Sequence, residues 1–264
     1  MKPYYQNELT TIYNGDCLDV MDYLIEQGIK FDAIITDPPY GTTACKWDNV
    51  IPFDKMWERL NKLLKNQSSV LLFGSEPFSS NIRMSNIDNY KYDIYWMKNT
   101  ASGFQHSKNR PMRSIETISV FSNNPMGHIS LLKENRMNYY PQGLIKQNKI
   151  HKSGKASFKN TVGSRPSHKD QFVSEFTNYP NDILKFDNNE KELHPTQKPI
   201  PLLSYLIKTY TKENDLILDF TSGSFTTCVA SEQLNRRSIG IELEQKYCDI
   251  GIKRLNSLQI KFDL

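Results

Sequence analysis

Phe31-Asp32-Ala33-Ile34-Ile35-Thr36-Asp37-Pro38-Pro39-Tyr40 is the stretch on which the fold class turns. Its first six residues form a short apolar run of the kind that fills a buried strand. The run passes directly into Asp37-Pro38-Pro39-Tyr40, where two prolines fix φ and remove two backbone donors. A stiff turn at a strand end thus presents one carboxylate, free carbonyls and an aromatic face.

Upstream, Leu18, Met21, Leu24 and Ile25 recur at helical spacing between Cys17 and Gln27, and Gly28 stops the pattern. Downstream, a helix is expected from about Phe53 to Leu64, then a strand Val70-Leu71-Leu72-Phe73 ended by Gly74. Tyr92 to Met97 and Thr117 to Phe121 are further strand candidates. Strands alternating with helices predict an α/β fold with a doubly wound, mostly parallel sheet. Periodicity fades after Phe121, and residues 122–193 are rich in Asn, Lys, Ser, Gly and Tyr. That composition fits either an ordered insertion or a segment that orders on a partner. Order returns at Pro199, a first-turn residue for a helix through Leu202, Leu203, Leu206 and Ile207. A strand Leu216-Ile217-Leu218-Asp219-Phe220, a helix from about Thr226 to Leu234, a strand Ser238-Ile239-Gly240-Ile241-Glu242 and a closing helix through Tyr247, Gly251, Leu255 and Leu258 follow. The expected layout is an α/β half over 1–121, a basic insert over 122–193 and a second α/β half over 194–264.

With 38% hydrophobic and 11% aromatic residues, the 264-residue chain can bury a sizeable core, which excludes wholesale disorder. No apolar run approaches the roughly 20 residues of a membrane helix, and Met1 to Asn7 has no signal-peptide stretch. A protein that stays inside the cell, away from membranes, is expected. Cys17, Cys45, Cys228 and Cys248 lie far apart, and His106, His128, His151 and His168 show no ligand spacing. Neither a disulfide scaffold nor a metal site is expected. The net charge is +4, yet Lys133 to Lys169 holds nine basic residues against Glu134 alone, leaving the remainder at −4. Such a window suits a polyanion contact or a solvated lysine-rich loop.

In doubly wound sheets, ligands sit beyond the carboxyl ends of strands. Asp219 ends one strand and leads through Phe220-Thr221-Ser222-Gly223-Ser224-Phe225-Thr226-Thr227 into a helix, and Glu242 ends the next strand. An acid about 20 residues beyond a glycine-containing turn can accept hydrogen bonds from ribose hydroxyls. The turn lacks both G-x-G-x-x-G and a G-K-[ST] phosphate loop, so a phosphate-free adenosine cofactor, S-adenosylmethionine, suits it. A structural turn with a surface glutamate is the competing reading. Asp37 and the Pro38 carbonyl can accept both N–H groups of an exocyclic amine and draw its nitrogen toward a nucleophilic geometry. Tyr40 can stack on a planar base, a contact worth about 1–3 kcal/mol. An ordinary Asp-Pro-Pro turn is the bland alternative.

Together these motifs resemble those of β-class amino-DNA methyltransferases, which move a methyl group from S-adenosylmethionine to adenine N6 or cytosine N4. The likeness rests on Asn14-Gly15-Asp16-Cys17, Asp37 to Tyr40, Phe73-Gly74-Ser75, His194-Pro195-Thr196-Gln197-Lys198-Pro199, the Asp219 to Thr227 turn and Ile239-Gly240-Ile241-Glu242. It implies a methyltransferase-type sheet with a catalytic half over 1–121, a target-recognition insert over 122–193 and a cofactor half over 194–264. Asp37, Pro38, Pro39 and Tyr40 would be catalytic, with Asp37 favouring adenine N6. Asp16 and Cys17 would flank the cofactor's adenine, with Cys17 as a small core residue the rival reading. Lys198 would help hold its methionine end and His194 would also bind the cofactor, although His194 to Pro199 also reads as a rigid linker. Asp37, Asp219, Phe220, Thr221, Ser222, Gly223, Ser224 and Thr226 would wrap the cofactor and Glu242 would hold its ribose. Double-stranded DNA is the expected partner, gripped by Lys146, Lys149, Lys152, Lys155, Lys159 and Arg165. A second copy of the chain and a cognate restriction enzyme are the companions the family adds, in a bacterial or phage-encoded, cytoplasmic setting. N4-cytosine, RNA or protein-amide methylation and a non-catalytic DNA-binding regulator are the rival functions.

One departure stands out. Phe220 follows Asp219 directly where the family has Asp-Pro-Phe, and Phe225 occupies the place of a second glycine. A large side chain there either packs beneath the adenosine or weakens cofactor binding. Trp96-Met97-Lys98 resembles a family segment bordering the target-base pocket, with core packing equally open for Trp96. Trp47 and Trp57 are expected to pack or to cover the pocket.

Overall fold

The computed structural model describes residues 1–42, 48–127, 132–152, 171–188 and 197–262. Lys155, Lys159, Arg165, His194 and Trp47 lie outside these residues, and Lys152 is described by its backbone alone. Along the chain run β1 (Tyr5–Gln6), β2 (Thr10–Asn14), α1 (Cys17–Glu26), β3 (Phe31–Thr36), α2 (Phe53–Leu63), β4 (Leu64–Gly74), α3 (Phe78–Met84), β5 (Tyr90–Ser102), β6 (Arg113–Phe121), β7 (Ile145–Lys152), β8 (Gln171–Thr177), β9 (Ile183–Lys185), α4 (Ile200–Tyr210), β10 (Leu216–Asp219), α5 (Thr226–Gln233), β11 (Arg237–Glu242) and α6 (Gln245–Phe262). Among the described residues, nine strands form one sheet in the order β1-β2-β11-β10-β3-β4-β6-β5-β9. The five from β2 to β4 are mutually parallel, which confirms the expected doubly wound core.

The near-continuous apolar strands are explained by burial on both faces. Ile34, Val70 and Leu72 face a cluster built with Val20, Met21 and Leu24 of α1 and Met56, Trp57 and Leu60 of α2. Their neighbours Ala33, Ile35, Leu71 and Phe73 face Leu202, Leu203, Leu206 and Ile207 of α4. Period two in the strands meets the three-to-four spacing of the helices, so each element carries one apolar face to the core. β2 has no apolar run to mark it, although Thr10, Thr11, Ile12 and Tyr13 all favour a strand. Pairing with β11 from Thr10↔Ser238 to Asn14↔Glu242 decides it.

The chain divides into two units, Met1–Tyr140 with Asp182–Leu264, and Pro141–Asn181. The expected 122–193 insert is therefore split. Met137 is buried in the larger unit, and β9 pairs there with β5. Among its described residues the smaller unit has the antiparallel pair β7–β8, with Lys146 and Lys149 on β7, and the Asn178 amide donates to the Gly143 carbonyl at 2.7 Å. No helix among the described residues is long and apolar enough to cross a membrane.

Candidate active site

From β3 the chain crosses through α2 to β4 on one side, and from β10 it crosses through α5 to β11 on the other. Strand order therefore reverses between β3 and β10, and a crevice opens beyond their carboxyl ends. A cavity of about 300 Å³ lies there. Asp16 and Cys17 line it from the end of β2, Asp37 to Tyr40 from β3, Asp219 to Ser224 from β10 and Glu242 from β11. The structure thus gathers every described residue expected at the catalytic and cofactor sites, Lys198 and Thr226 included.

Thr36 ties the two strand ends together. Its hydroxyl donates to Asp219 Oδ1 at 2.7 Å and meets the Thr221 hydroxyl at 2.6 Å, and Thr221 bonds the Asp37 carbonyl at 3.1 Å. Burial pushes the Asp219 carboxyl up to about 6. Glu242 accepts the Gly223 and Glu244 backbone N–H groups, both at 2.8 Å, yet burial still raises its carboxyl to about 6. The Asp16 side chain caps α1 by accepting the Leu18 N–H at 2.8 Å. Burial pushes the Cys17 thiol up to about 12, so it is an uncharged wall rather than a nucleophile. The N–H groups of Thr221, Ser222, Gly223 and Phe225 all bond within the protein. Those four donors are therefore not offered to a phosphate.

Asp37 belongs to a buried charged cluster. The Tyr40 hydroxyl donates to one of its carboxylate oxygens and the Lys198 ammonium to the other. Lys198 also pairs with Glu116 at 3.0 Å, and Glu116 pairs with Lys98 at 2.6 Å. Burial raises the Asp37 carboxyl, Lys198 opposes the rise and Glu116 adds to it. Glu116 is more deeply buried, but Lys198 and Lys98 together hold its carboxyl below the ordinary range. Burial alone would lower the Lys198 ammonium, but Asp37 and Glu116 raise it above its usual value. Glu116 and Thr36 carried no assigned role in the sequence. The available signal for Glu116 was a lone acid between Ile115 and Ile118 on a strand. The Tyr40 ring lies 4.9 Å from that of Phe78. Trp96 is core, with its indole N–H on the Phe186 carbonyl at 2.8 Å, and Trp57 packs on Phe121.

Phe225 turns away from the cavity, which Ser224 and Thr226 line on either side of it. Its backbone keeps the left-handed conformation of a glycine, φ 60°, while its fully buried ring packs with Ile12, Cys228, Cys248 and Leu255. Gly240 and Gly251 make room for the ring, since a Cβ on Gly240 would fall 2.6 Å from it. Arg254 of α6 fastens the turn by donating to the Ser224 carbonyl at 2.6 Å and the Thr226 hydroxyl at 2.9 Å. Among the described residues, no group of three or more His, Cys, Asp or Glu could hold a metal ion.

Residues 31–253 match a family model described as DNA methylase, of the N6/N4 type. The chain is 26% identical over 266 residues to Type II methyltransferase M1.MboII of Moraxella bovis, covering 96% of this chain and 99% of that one. It is 25% identical over 267 residues to DNA adenine methyltransferase YhdJ of Escherichia coli, covering 96% and 84%. Among solved structures, the M1.HpyAVI complex with S-adenosylmethionine matches with a TM-score of 0.63 at 25% identity, covering 94% of this chain and 100% of that one.

Gly240→Ala should destabilise the fold by about 1–3 kcal/mol in urea denaturation, because the ring of Phe225 has no room to retreat. Phe225→Leu in the same chain should recover part of that loss. Strictly additive effects in the double mutant would show that the two positions do not pack as a pair.

Proposed function

The chain belongs to the N6/N4 DNA methylase family, and from that premise we propose that it methylates N6 of adenine in duplex DNA. The observation that carries this reading is the Asp37 carboxylate at the β3–β10 crevice, oriented by Tyr40 and Lys198. Aspartate rather than serine at the head of the motif supports adenine over cytosine N4. The adenine methyltransferase among the relatives supports the same choice.

The methyl donor is S-adenosylmethionine, and the cavity suits it. Asp16, Asp37, Asp48, Asp219 and Glu242 line the wall, with Lys198 the one basic residue among its described lining residues, a balance that favours a cation over a phosphate-bearing ligand. Glu242 takes the ribose hydroxyls, Asp16 and Cys17 border the adenine, and Lys198 is the cation available to the methionine carboxylate. When bound, the cofactor supplies an electrophilic methyl group on a positively charged sulfur.

N6 of a stacked, paired adenine is out of reach, so the target base leaves the helix. Asp37 and the Pro38 carbonyl then accept the two N–H groups of the amine. Each Asp37 oxygen has acceptor capacity beyond the bond to Tyr40 or Lys198. Holding both protons on one side directs the nitrogen lone pair to the other, toward the methyl group. Tyr40 offers the base an aromatic wall that its hydroxyl and Phe78 hold in place. Positioning and fixed charge supply most of the rate. The raised proton affinity of Asp37 suits it to take the proton that N6 sheds. Lys146 and Lys149 on β7, with the rest of the basic window, contact phosphates.

Labelled S-adenosylmethionine and unmethylated bacterial DNA, followed by nucleoside analysis, should yield N6-methyladenine. N4-methylcytosine would move the target, and no transfer from a folded protein would refute the proposal. Asp37→Ala should lower turnover by orders of magnitude. Tyr40→Phe should be milder than Tyr40→Ala but not silent, because the hydroxyl bonds Asp37.

Two pH effects have a defined sign. Glu116 disfavours ionisation of Asp37, so Glu116→Gln should move the acid limb of kcat to lower pH. An unmoved limb would show the two carboxylates to be uncoupled. Glu242 titrates at about 6, and its neutral form is the weaker acceptor, so calorimetric affinity for S-adenosylmethionine should fall as pH drops through about 6. Glu242→Gln should bind more weakly and lose its share of that dependence. Wild-type affinity in this variant would make Glu242 purely structural.

A further inference from the structure

β5 and β6 form an antiparallel arm that outruns β4. The last residue of β4, Gly74, pairs with Thr117, which in turn pairs with Tyr95, so residues 96–116 extend beyond it at the edge where β3 delivers Asp37. Lys98 on β5 and Glu116 on β6 are members of the charged cluster around Asp37, and the arm therefore grows out of that cluster. Arg113 secures its base by donating to the Ser75 hydroxyl at 2.7 Å and the Glu76 carbonyl at 3.3 Å.

At the tip, Gly103 takes φ 89° and turns the chain into a short 3₁₀ turn, Phe104–His106. Phe104 is 76% exposed, more than any other large hydrophobic side chain among the described residues. The chain from Ile94 to Ile115 contains no acidic residue. Lys108 and Arg110 are exposed, and neither has an acidic partner among the described residues. A lone exposed phenylalanine is ordinary on a protein surface. An exposed ring on a cationic arm, rooted in the cluster that handles the target base, has a specific use.

We propose that this arm is a DNA-entry element, with Lys108 and Arg110 on duplex phosphates and the Phe104 ring wedged into the base stack. The wedge fills the space the target base vacates, so burial of the ring offsets part of the unstacking. This inference rests on the DNA reading above.

The test uses short random-sequence duplexes with 2-aminopurine scattered in place of adenine, a base whose fluorescence rises on unstacking. Saturating wild-type enzyme should raise the signal, and Phe104→Ala should cut the rise at least about threefold and kcat about tenfold, because the wedge acts on unstacking. Affinity for S-adenosylmethionine should stay within about twofold, which separates this effect from misfolding. Phe104→Leu, still an apolar wedge, should keep most of the rise. An undiminished rise with Phe104→Ala overturns the wedge, as does wild-type transfer without any rise. Wild-type enzyme giving neither transfer nor rise overturns the DNA reading and the wedge with it. If Phe104→Ala instead converts a sedimenting dimer to a monomer with the rise unchanged, the ring seals a contact between copies and the wedge is wrong.

Discussion

Two rungs of parallel pairing, Ile217↔Ala33 and Leu218↔Ile34, hold together the ends of the chain that bear its motifs. Just past them β3 and β10 stop, and their connections leave in opposite directions, so the backbones part and a crevice forms. Thr36 and Asp219, 183 residues apart in sequence, meet across it at 2.7 Å. Everything else in the cavity is referenced to that junction. Asp16 reaches it because β2 lies beyond β11, and Glu242 because β11 lies beside β10.

The charged cluster explains how a carboxylate survives burial beside a substrate site. An unpaired buried charge would cost several kcal/mol, whereas Asp37, Glu116, Lys98 and Lys198 form a set whose charges cancel. Stability is not the gain, since apolar residues of similar volume would often serve a core as well. The gain is orientation. Asp37 is held from two sides by Tyr40 and Lys198, and burial leaves it with a raised affinity for protons against their pull. Groups already aimed need no reorganisation when charge develops.

The turn after β10 shows that backbone conformation, rather than glycine itself, is what this position requires. A left-handed residue with a Cβ costs about 1–2 kcal/mol. Full burial of an aromatic side chain contributes about 1.5–3 kcal/mol, enough to offset it. Phe225 therefore keeps the turn while its ring settles against Gly240 and Gly251, on the side away from the cavity. The room for the ring comes from Gly240 and Gly251, 15 and 26 residues downstream.

The sequence by itself determined what local chemistry can encode. Short apolar runs marked β3, β4 and β10, helical spacing marked α1, α2 and α4, and prolines marked the stiff turn at Asp37. Spacing between Asp219 and Glu242 marked two cavity walls, because a strand, a turn and a helix separate them in any such unit. Tertiary structure alone decided the strand order, the placement of β2, the split of the 122–193 insert and the partners of Asp37. Glu116 illustrates the reason. A single acid on a strand has no periodicity of its own, and whether it is a solvated charge or half of a buried pair depends on which lysines arrive beside it. Lys98 comes from the neighbouring strand and Lys198 from the segment before α4, and only long-range pairing of the sheet sets those distances.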